Sequence, residues 1–226
     1  MGMRHVCYKL MLCFCIILTS SFFIFNPAQA QITHSDHGQV DKAADALLKK
    51  AASKFGNVSF KVTAVVLDSQ KKETLRQTAQ VFYCKGHYRL TMADQEIICD
   101  GTTVWQWNKT AKEVAVTNMP ADDDINLFNP AQLLANYNKS FRAKYIRTDD
   151  DGRAIVDLQP RSARSYHKIR LFIEEKSGLL SCMEVHKYDS GREIYDISAF
   201  KNAGTPASQF TFDTSKHPGV EIIDMR

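Results

Sequence analysis

Histidine, cysteine and aspartate are the residues of this chain that could do chemistry, and their spacing indicates which reactions are open to it. His34 and His37 flank Asp36, but a segment close to a chain terminus seldom holds metal ligands in place. The acidic runs at 122–124 and 149–151 lack the downstream glutamate of an EF-hand calcium loop. No nucleophile elbow, phosphate-binding loop, dinucleotide fingerprint or zinc-protease motif occurs. The pattern therefore predicts a protein that is not an enzyme, without catalytic residues, metal or cofactor. Three further histidines have no convincing partner in sequence: His167, His186 and His217.

The first thirty residues have the three-part layout of a secretory signal peptide. A basic start is followed by an apolar run over 10–25 and by the small-residue sequence Ala-Gln-Ala at 28–30. A retained transmembrane anchor is the alternative, since the apolar run is nearly long enough to span a bilayer. The cleavage site favours removal. We therefore expect a signal peptide at 1–30, a single domain at 31–226 and a location in the periplasm.

Charge and cysteine content limit the function further. Residues 1–30 hold two of the 29 basic side chains and none of the 25 acidic ones, so the rest has a net charge of +2. This leaves no basic surface typical of nucleic-acid binding.

Three cysteines lie after residue 30, Cys84, Cys99 and Cys182, and they include no C-x-x-C pair. If 85–87 is a three-residue loop, Cys84 and Cys99 lie on strands about 9.5 Å apart, too far for a disulfide.

The elements that must position any site are mostly β-strands. Apolar residues at helical spacing predict one amphipathic helix over 36–55, and a second helical segment is predicted at 130–137. Between and after them, short strands separated by turn residues indicate a mainly β, α+β fold built on an antiparallel meander. Two helices suffice to cover one face of such a sheet. The predicted strands are 58–67, 75–84, 88–93, 96–99, 104–108, 113–116, 141–148, 154–159, 168–174, 179–187, 194–200, 209–212 and 220–223.

An apolar sheet face is the strongest candidate for a binding surface. Tyr88, Leu90 and Met92 alternate with polar residues along one strand. If Ala93-Asp94 forms a two-residue hairpin, Leu90 lies opposite Ile97 and Tyr88 opposite Cys99. Such a face is ordinarily hydrophobic core, but a wide curled sheet can also enclose a ligand. Composition leaves both possibilities open.

Trp105 and Trp107 share one face of the next strand, and the preceding loop decides which face that is. A three-residue loop at 100–102 would place both indoles on the side of Leu90 and Ile97, whereas a two-residue turn would place them on the opposite side. We predict the three-residue loop, because it gathers the aromatic side chains on one face.

Several segments resemble the outer-membrane lipoprotein carrier family, LolA. The run Asp-Gly-Thr-Thr-Val-Trp-Gln-Trp-Asn at 100–108 is similar to a signature of that family. Four further segments match family features in the same order along the chain. They are the Phe-containing strand at 58–62, the aromatic hairpin at 81–90, the Pro-x-x-Leu-Leu helix start at 129–134, and the C-terminal pattern from 210 to 224.

The resemblance implies an incomplete β-barrel of about 11 strands with a helical lid over a cavity for acyl chains of lipoproteins. Tyr88, Leu90 and Met92 fall where the family lines its cavity, with Ile97, Trp105 and Trp107 near them. Lys85 stands where the family often has a lid-latching arginine. Lysine offers a point charge rather than a planar fork, so a weaker latch, a different one or none is expected. The implied partners are lipoproteins, an inner-membrane lipoprotein-releasing transporter and an outer-membrane acceptor, for a monomeric carrier. The implied lid residues are Leu47, Leu48, Leu133 and Leu134.

Three other functions are compatible with the same fold. The first is a periplasmic module that senses lipid or lipoprotein and regulates a membrane partner. The second is a hydrolase or isomerase that uses the cavity as its active site. The third is an outer-membrane receptor, which would be acylated at a cysteine. It is disfavoured because Leu12 and Phe14 precede Cys13 and Cys15, where a lipoprotein signal has small residues. Turnover on acyl esters and the identity of co-purifying proteins would discriminate among them.

Overall fold

The computed structural model describes residues 40–119, 130–204 and 206–226. The predicted signal peptide at 1–30 lies outside these ranges and stays a prediction. Within them the chain forms the helices α1 (Lys42–Ala52) and α2 (Pro130–Ser140) and twelve strands. The strands are β1 (Asn57–Leu67), β2 (Glu73–Cys84), β3 (His87–Thr91), β4 (Gln95–Cys99), β5 (Thr103–Asn108), β6 (Glu113–Asn118), β7 (Phe141–Thr148), β8 (Arg153–Pro160), β9 (Tyr166–Glu174), β10 (Leu180–Lys187), β11 (Arg192–Asn202) and β12 (Glu221–Asp224).

All of these strands belong to one wide, curled sheet. Its order is β12-β6-β5-β4-β3-β2-β1-β11-β10-β9-β8-β7, so two meanders, β1 to β6 and β7 to β11, are joined by the antiparallel pair β1–β11. The edge strands β7 and β12 do not pair with each other in the described part of the chain, and the sheet stays unclosed. The predicted fold, an incomplete barrel made of a single curled sheet, is confirmed.

Two predictions about the C-terminal segment are wrong. Residues 209–212 do not form a strand; Ala207–Phe210 form a 3₁₀ turn after Pro206, which has no backbone N–H to donate to a neighbouring strand. The final strand also departs from the antiparallel meander, because β12 pairs with β6 in parallel. A parallel pair needs a long connection, and the chain from β6 to β12 passes through both helical and sheet elements first.

The start and end of α1 follow from its sequence. Asp41 is the N-cap residue, and its Oδ1 accepts a hydrogen bond from the Ala44 N–H at 3.0 Å. The helix ends at Ala52, with Ser53 as the C-cap residue, and is shorter than the predicted 36–55. Its buried residues follow one another at three- and four-residue steps, as expected for an amphipathic helix. The buried residues are Ala44, Leu48 and Ala51.

The hairpin between β2 and β3 is one residue tighter than predicted. Cys84 pairs directly with His87, so Lys85 and Gly86 form a two-residue turn, and both have the positive φ of a type I′ turn, 48° and 91°. Cys84 therefore points away from the face that carries Cys99. All three described cysteines are unbonded.

Candidate functional site: the inner face of the sheet

The sheet has an apolar face beneath the helices, called the inner face here and defined by Phe60, Val81, Tyr88, Leu90 and Ile97. Leu90 pairs with Val81 on one side and with Ile97 on the other, as the two-residue hairpin at 93–94 predicted. Tyr88 pairs with Cys99, also as predicted. Tyr88, Leu90 and Ile97 are each only 2% exposed. Met92, directly after β3, continues the alternation and is buried as well.

The inner face continues through β1 and β11 into the second meander. One cross-strand row there runs from Ala64 through Tyr195, Met183 and Leu171 to Val156. All five side chains are buried. The inner face is therefore one continuous surface that extends over both meanders.

A bulge in β11 adds an aromatic ring to this surface. Between Ser59 and Lys61 of β1 the register with β11 shifts by one residue, and Ala199 takes a left-handed φ of 52°. Phe200 therefore comes onto the inner face, where its ring stacks on Phe60 with centroids 5.6 Å apart and planes at 10°. Phe55, which follows α1, packs edge-on against both rings.

The helices α1 and α2 cover the inner face. They contact each other and β7, and Phe55 at the end of α1 also contacts the ring of Tyr83. Leu48 and Leu134 are fully buried and Leu133 is nearly so, whereas Leu47 is half-buried. The structure thus places the four predicted lid residues on two adjoining helices, with Leu47 the least enclosed.

Polar contacts fasten α1 at both of its ends. At the start, Asp41 Oδ2 accepts a hydrogen bond from the Tyr145 N–H at 2.9 Å, which ties the helix to β7. The hydrogen bonds from the Ala44 and Tyr145 amides hold the pKa of Asp41 below its usual range. At the far end, the Lys50 ammonium donates to the carbonyl oxygen of Glu175 at 2.7 Å. The same ammonium also donates to the carbonyl oxygen of Lys176 at 3.3 Å. The far end of α1 is therefore held by one exposed side chain, and the start by one partly buried carboxylate.

In the described part of the chain, α1 and α2 are linked by a hydrogen bond from the Tyr137 hydroxyl to Asp45 Oδ1, at 3.1 Å. Burial, and then the hydrogen bond and charge of Asp45, raise the pKa of Tyr137 to about 12. The phenol therefore stays protonated and remains a donor at neutral pH. No local pattern signals this contact, because the two residues are 92 positions apart.

The predicted positions of Trp105 and Trp107 are wrong. Cys99 pairs with Val104 and Ile98 with Trp105, so the loop is not the three-residue one and the indoles lie on the opposite side from Leu90 and Ile97. Asp100 shapes this turn by accepting hydrogen bonds from the amides of Thr102 and Thr103. A change of one residue in loop length reverses the face of every following side chain.

The tryptophans belong to a separate cluster on the outer face, the side of the sheet that carries Ile98. The C-terminal segment crosses this face: His217 lies 3.9 Å from Trp107 between ring centroids, and Phe212 lies 5.8 Å from it. Arg89 also donates to the Gln209 carbonyl oxygen at 3.1 Å. These contacts explain the aromatic side chains on the outer face without a ligand.

Lys85 is exposed at the tip of its turn. Its backbone N–H donates to the Gly56 carbonyl oxygen at 3.3 Å, but its ammonium makes no hydrogen bond or ion pair with the residues that the structure describes. Its role as a latch stays a prediction. The hydrogen bond that the structure shows between the helices joins Asp45 and Tyr137 instead.

A polar group interrupts the inner face near the β11 start. Glu193 is only 8% exposed, and its carboxylate forms an ion pair with Lys187 at 2.7 Å and accepts a hydrogen bond from the Tyr195 hydroxyl at 2.8 Å. Burial, together with the charge of Glu193, raises the pKa of Tyr195 well above its usual value. Sequence reasoning missed this group, although the alternation of β11 places Glu193 and Tyr195 on one face.

Neither a metal cluster nor a membrane-spanning helix appears in the described ranges. There, no three or more histidine, cysteine, aspartate or glutamate side chains are grouped so that they could hold a metal ion. Each described α-helix has 11 residues, and neither is long and apolar enough to cross a bilayer.

A wide unclosed sheet with an apolar face beneath two helices defines the structural class. In solved structures it is similar to an uncharacterized conserved protein from Thermus thermophilus, with a TM-score of 0.55 and 8% identity, over 81% of this chain and 99% of that one. The family model of the outer membrane lipoprotein carrier protein LolA matches residues 88–213, more than half of the chain. The chain therefore belongs to the LolA family, which confirms the resemblance seen in its sequence.

Relatives of known name agree with this assignment. An outer-membrane lipoprotein carrier protein from Histophilus somni (strain 2336) is 25% identical over 183 residues, which cover 79% of this chain and 86% of the relative. A protein of the same name from Pectobacterium carotovorum subsp. carotovorum (strain PC1) is 27% identical over 184 residues, covering 79% and 85%.

Proposed function

We propose that this protein carries lipoproteins through the periplasm by holding their acyl chains between the inner face and the helices α1 and α2. The observation that carries the proposal is the mostly apolar inner face, which extends over both meanders beneath two helices. Few polar contacts among the described residues fasten these helices. Membership of the LolA family, whose relatives are named lipoprotein carriers, supports it.

The partly exposed centre of the inner face is where an acyl chain would gain most. Val62 of β1 pairs directly with Ile197 of β11, and both are half-buried, as is Phe200 nearby. Burial of an acyl chain contributes about 0.8 kcal/mol per CH₂ group. Displacing α1 and ordering the ligand would offset part of that gain, so the net affinity would permit release.

Release in this scheme needs a better acceptor rather than a chemical step. An outer-membrane acceptor that buries the same acyl chains more completely would take the lipoprotein, and an inner-membrane transporter would supply it. The carrier acts as a monomer, contributes no catalytic group, and needs neither nucleotide nor metal. The predicted signal peptide supports the periplasmic location.

Neighbouring residues on opposite faces of β1 provide a matched test. Val62→Trp places an indole on the inner face, whereas Thr63→Trp places the same side chain on the outer face, where Thr63 is hydrogen-bonded to Thr78. Binding of a fluorescent fatty acid should weaken at least about tenfold in Val62→Trp, because the ring fills the space of the acyl chain. Thr63→Trp should bind like the unmodified protein.

Thermal unfolding of both variants checks that each remains folded. Equal affinity of the two variants for the fatty acid would place acyl binding elsewhere and would contradict the proposal. In cells, the proposal also expects lipoproteins to co-purify with the unmodified protein and with Thr63→Trp, and to be depleted from Val62→Trp.

A further inference from the structure

Within the part of the chain that the structure describes, a buried polar atom on the inner face has no hydrogen-bond partner. Gln77 of β2 pairs with Ala64, whose neighbour on the other side is Tyr195, so all three belong to one row of the inner face. The side-chain oxygen Oε1 of Gln77 is buried and accepts no hydrogen bond from the residues that the structure describes. A buried acceptor without a donor costs about 1–3 kcal/mol, so its presence calls for an explanation.

The polar residues around Gln77 do not satisfy this oxygen. The Tyr195 hydroxyl already donates to Glu193, and the Lys187 ammonium is paired with the other oxygen of the same carboxylate. In register, Gln77 and Tyr195 are separated by Ala64, which is two strand spacings or about 9.6 Å between Cα atoms. The group Lys187–Glu193–Tyr195 is therefore satisfied internally, and Gln77 is left with a free acceptor.

We propose that Gln77 accepts a hydrogen bond from the N–H of the amide group that attaches an acyl chain to the rest of the ligand. This protein therefore prefers amide-linked over ester-linked acyl chains. The inference rests on the proposed function, because it assumes that acyl chains occupy the inner face.

The chemistry of the row favours a neutral N–H donor. A buried ammonium would need a compensating negative charge, and the carboxylate of Glu193 is already neutralised by Lys187. A neutral amide N–H needs only an acceptor, which Gln77 supplies. An ester has no N–H, so an ester ligand leaves Oε1 unsatisfied. The apolar neighbours Ala64 and Leu75 would meanwhile contact the adjoining hydrocarbon.

The test compares two ligands that differ only in this donor, N-methyldodecanamide and methyl dodecanoate, by displacement of a fluorescent fatty acid. The ratio of the ester Kd to the amide Kd is measured in the unmodified protein, in Gln77→Leu and in Gln80→Leu. Gln80 is the matched control, since it lies on the same strand with the opposite orientation and donates to the Phe60 carbonyl oxygen.

The proposal expects the ratio to fall about three- to tenfold in Gln77→Leu, the equivalent of one net hydrogen bond, and to be unchanged in Gln80→Leu. Gln77→Leu without ligand should also be at least as stable as the unmodified protein, because an unsatisfied acceptor has been replaced by an apolar side chain. Gln77→Met, which keeps the unbranched shape, should behave in the same way and serves if Gln77→Leu does not fold.

Three results would overturn the inference. An identical ratio in all three proteins would show that Gln77 does not distinguish an amide from an ester linkage. The proposal that acyl chains bind to the inner face would be unaffected by that result. A marked loss of stability in both Gln77 variants would show that the amide is bonded within the fold. If neither ligand displaces the fatty acid from the unmodified protein, or the fatty acid does not bind, the proposed function fails and this inference with it.

Discussion

The hydroxyl of Tyr137 in α2 donates a hydrogen bond to Oδ1 of Asp45 in α1, across 3.1 Å. The other oxygen of the same carboxylate forms an ion pair with Lys49 at 2.8 Å. The hydrogen bond from Lys49, followed by the one from Tyr137, holds the pKa of Asp45 below its usual range. Among the side chains that the structure describes, this carboxylate makes the polar contact that joins the two helices over the inner face, and the contact can break without exposing an unpaired charge.

Removing the Tyr137 hydroxyl should weaken the contact between α1 and α2 while the inner face stays intact. In Tyr137→Phe the helices keep their apolar contacts but lose the hydrogen bond, so a bound fatty acid should dissociate about three- to tenfold faster. Stopped-flow displacement of a fluorescent fatty acid measures that rate. Tyr188→Phe is the control, since Tyr188 is 71% exposed and its ring contacts His167 of β9. Unchanged dissociation in Tyr137→Phe would show that this contact does not limit opening.

The outer-face position of Trp107 predicts that its replacement affects the C-terminal segment and not the ligand. Trp107→Phe shortens the ring that contacts His217 and Phe212, so hydrogen exchange in residues 206–226 should accelerate. The fatty-acid Kd should stay within about twofold of the unmodified value. A large fall in fatty-acid affinity, with unchanged hydrogen exchange in residues 206–226, would show that Trp107 contacts the ligand and would contradict its outer-face role.

The outer face also carries a buried ion pair that should determine how the free energy of unfolding falls at acid pH. Arg170 donates two hydrogen bonds to Asp157, at 2.7 and 2.8 Å. Burial raises the pKa of Asp157, but the hydrogen bonds and charge of Arg170 and the charge of Lys168 outweigh it, so the net pKa is lowered. A lowered pKa means that the pair stabilises the fold above the unfolded-state pKa of about 3.9 and is lost as the pH falls through the folded-state value.

Asp157→Asn should therefore lower the free energy of unfolding by about 2 kcal/mol at pH 7, because Arg170 loses its charged acceptor. Urea unfolding as a function of pH measures the difference, which should shrink as the pH falls through the lowered pKa of Asp157. Asp224→Asn, at an exposed pair with Arg226, should leave stability unchanged at pH 7. A difference for Asp157→Asn that is constant from pH 7 to pH 2 would contradict the role of the charge.

The sequence predicted those parts of the inner face that depend on local geometry. The Ala93-Asp94 turn fixes Leu90 opposite Ile97 because a two-residue hairpin allows one register. The next turn shows the limit of that reasoning, since one residue of loop length moves Trp105 and Trp107 to the other face. The preference for gathering aromatic residues on one side is misleading here, because the outer face has a second cluster that only the C-terminal segment completes.

Contacts between distant segments could not be predicted. The hydrogen bond between Asp45 and Tyr137 depends on how two helices meet, and no pattern in either helix signals it. The strand that contains Gln77 was predicted, but its unsatisfied oxygen follows from the side chains that surround it on three strands. Such features arise from packing, which periodicity does not specify.

The most direct test of acyl binding at the inner face is photo-crosslinking with a fatty acid that carries a diazirine along its chain, followed by mass spectrometry of the labelled peptides. Labels are expected on inner-face residues such as Val62, Leu90 and Ile197, and an unlabelled lipoprotein acyl chain should compete with them. Labels confined to the outer face, around Trp107 and the C-terminal segment, would contradict it.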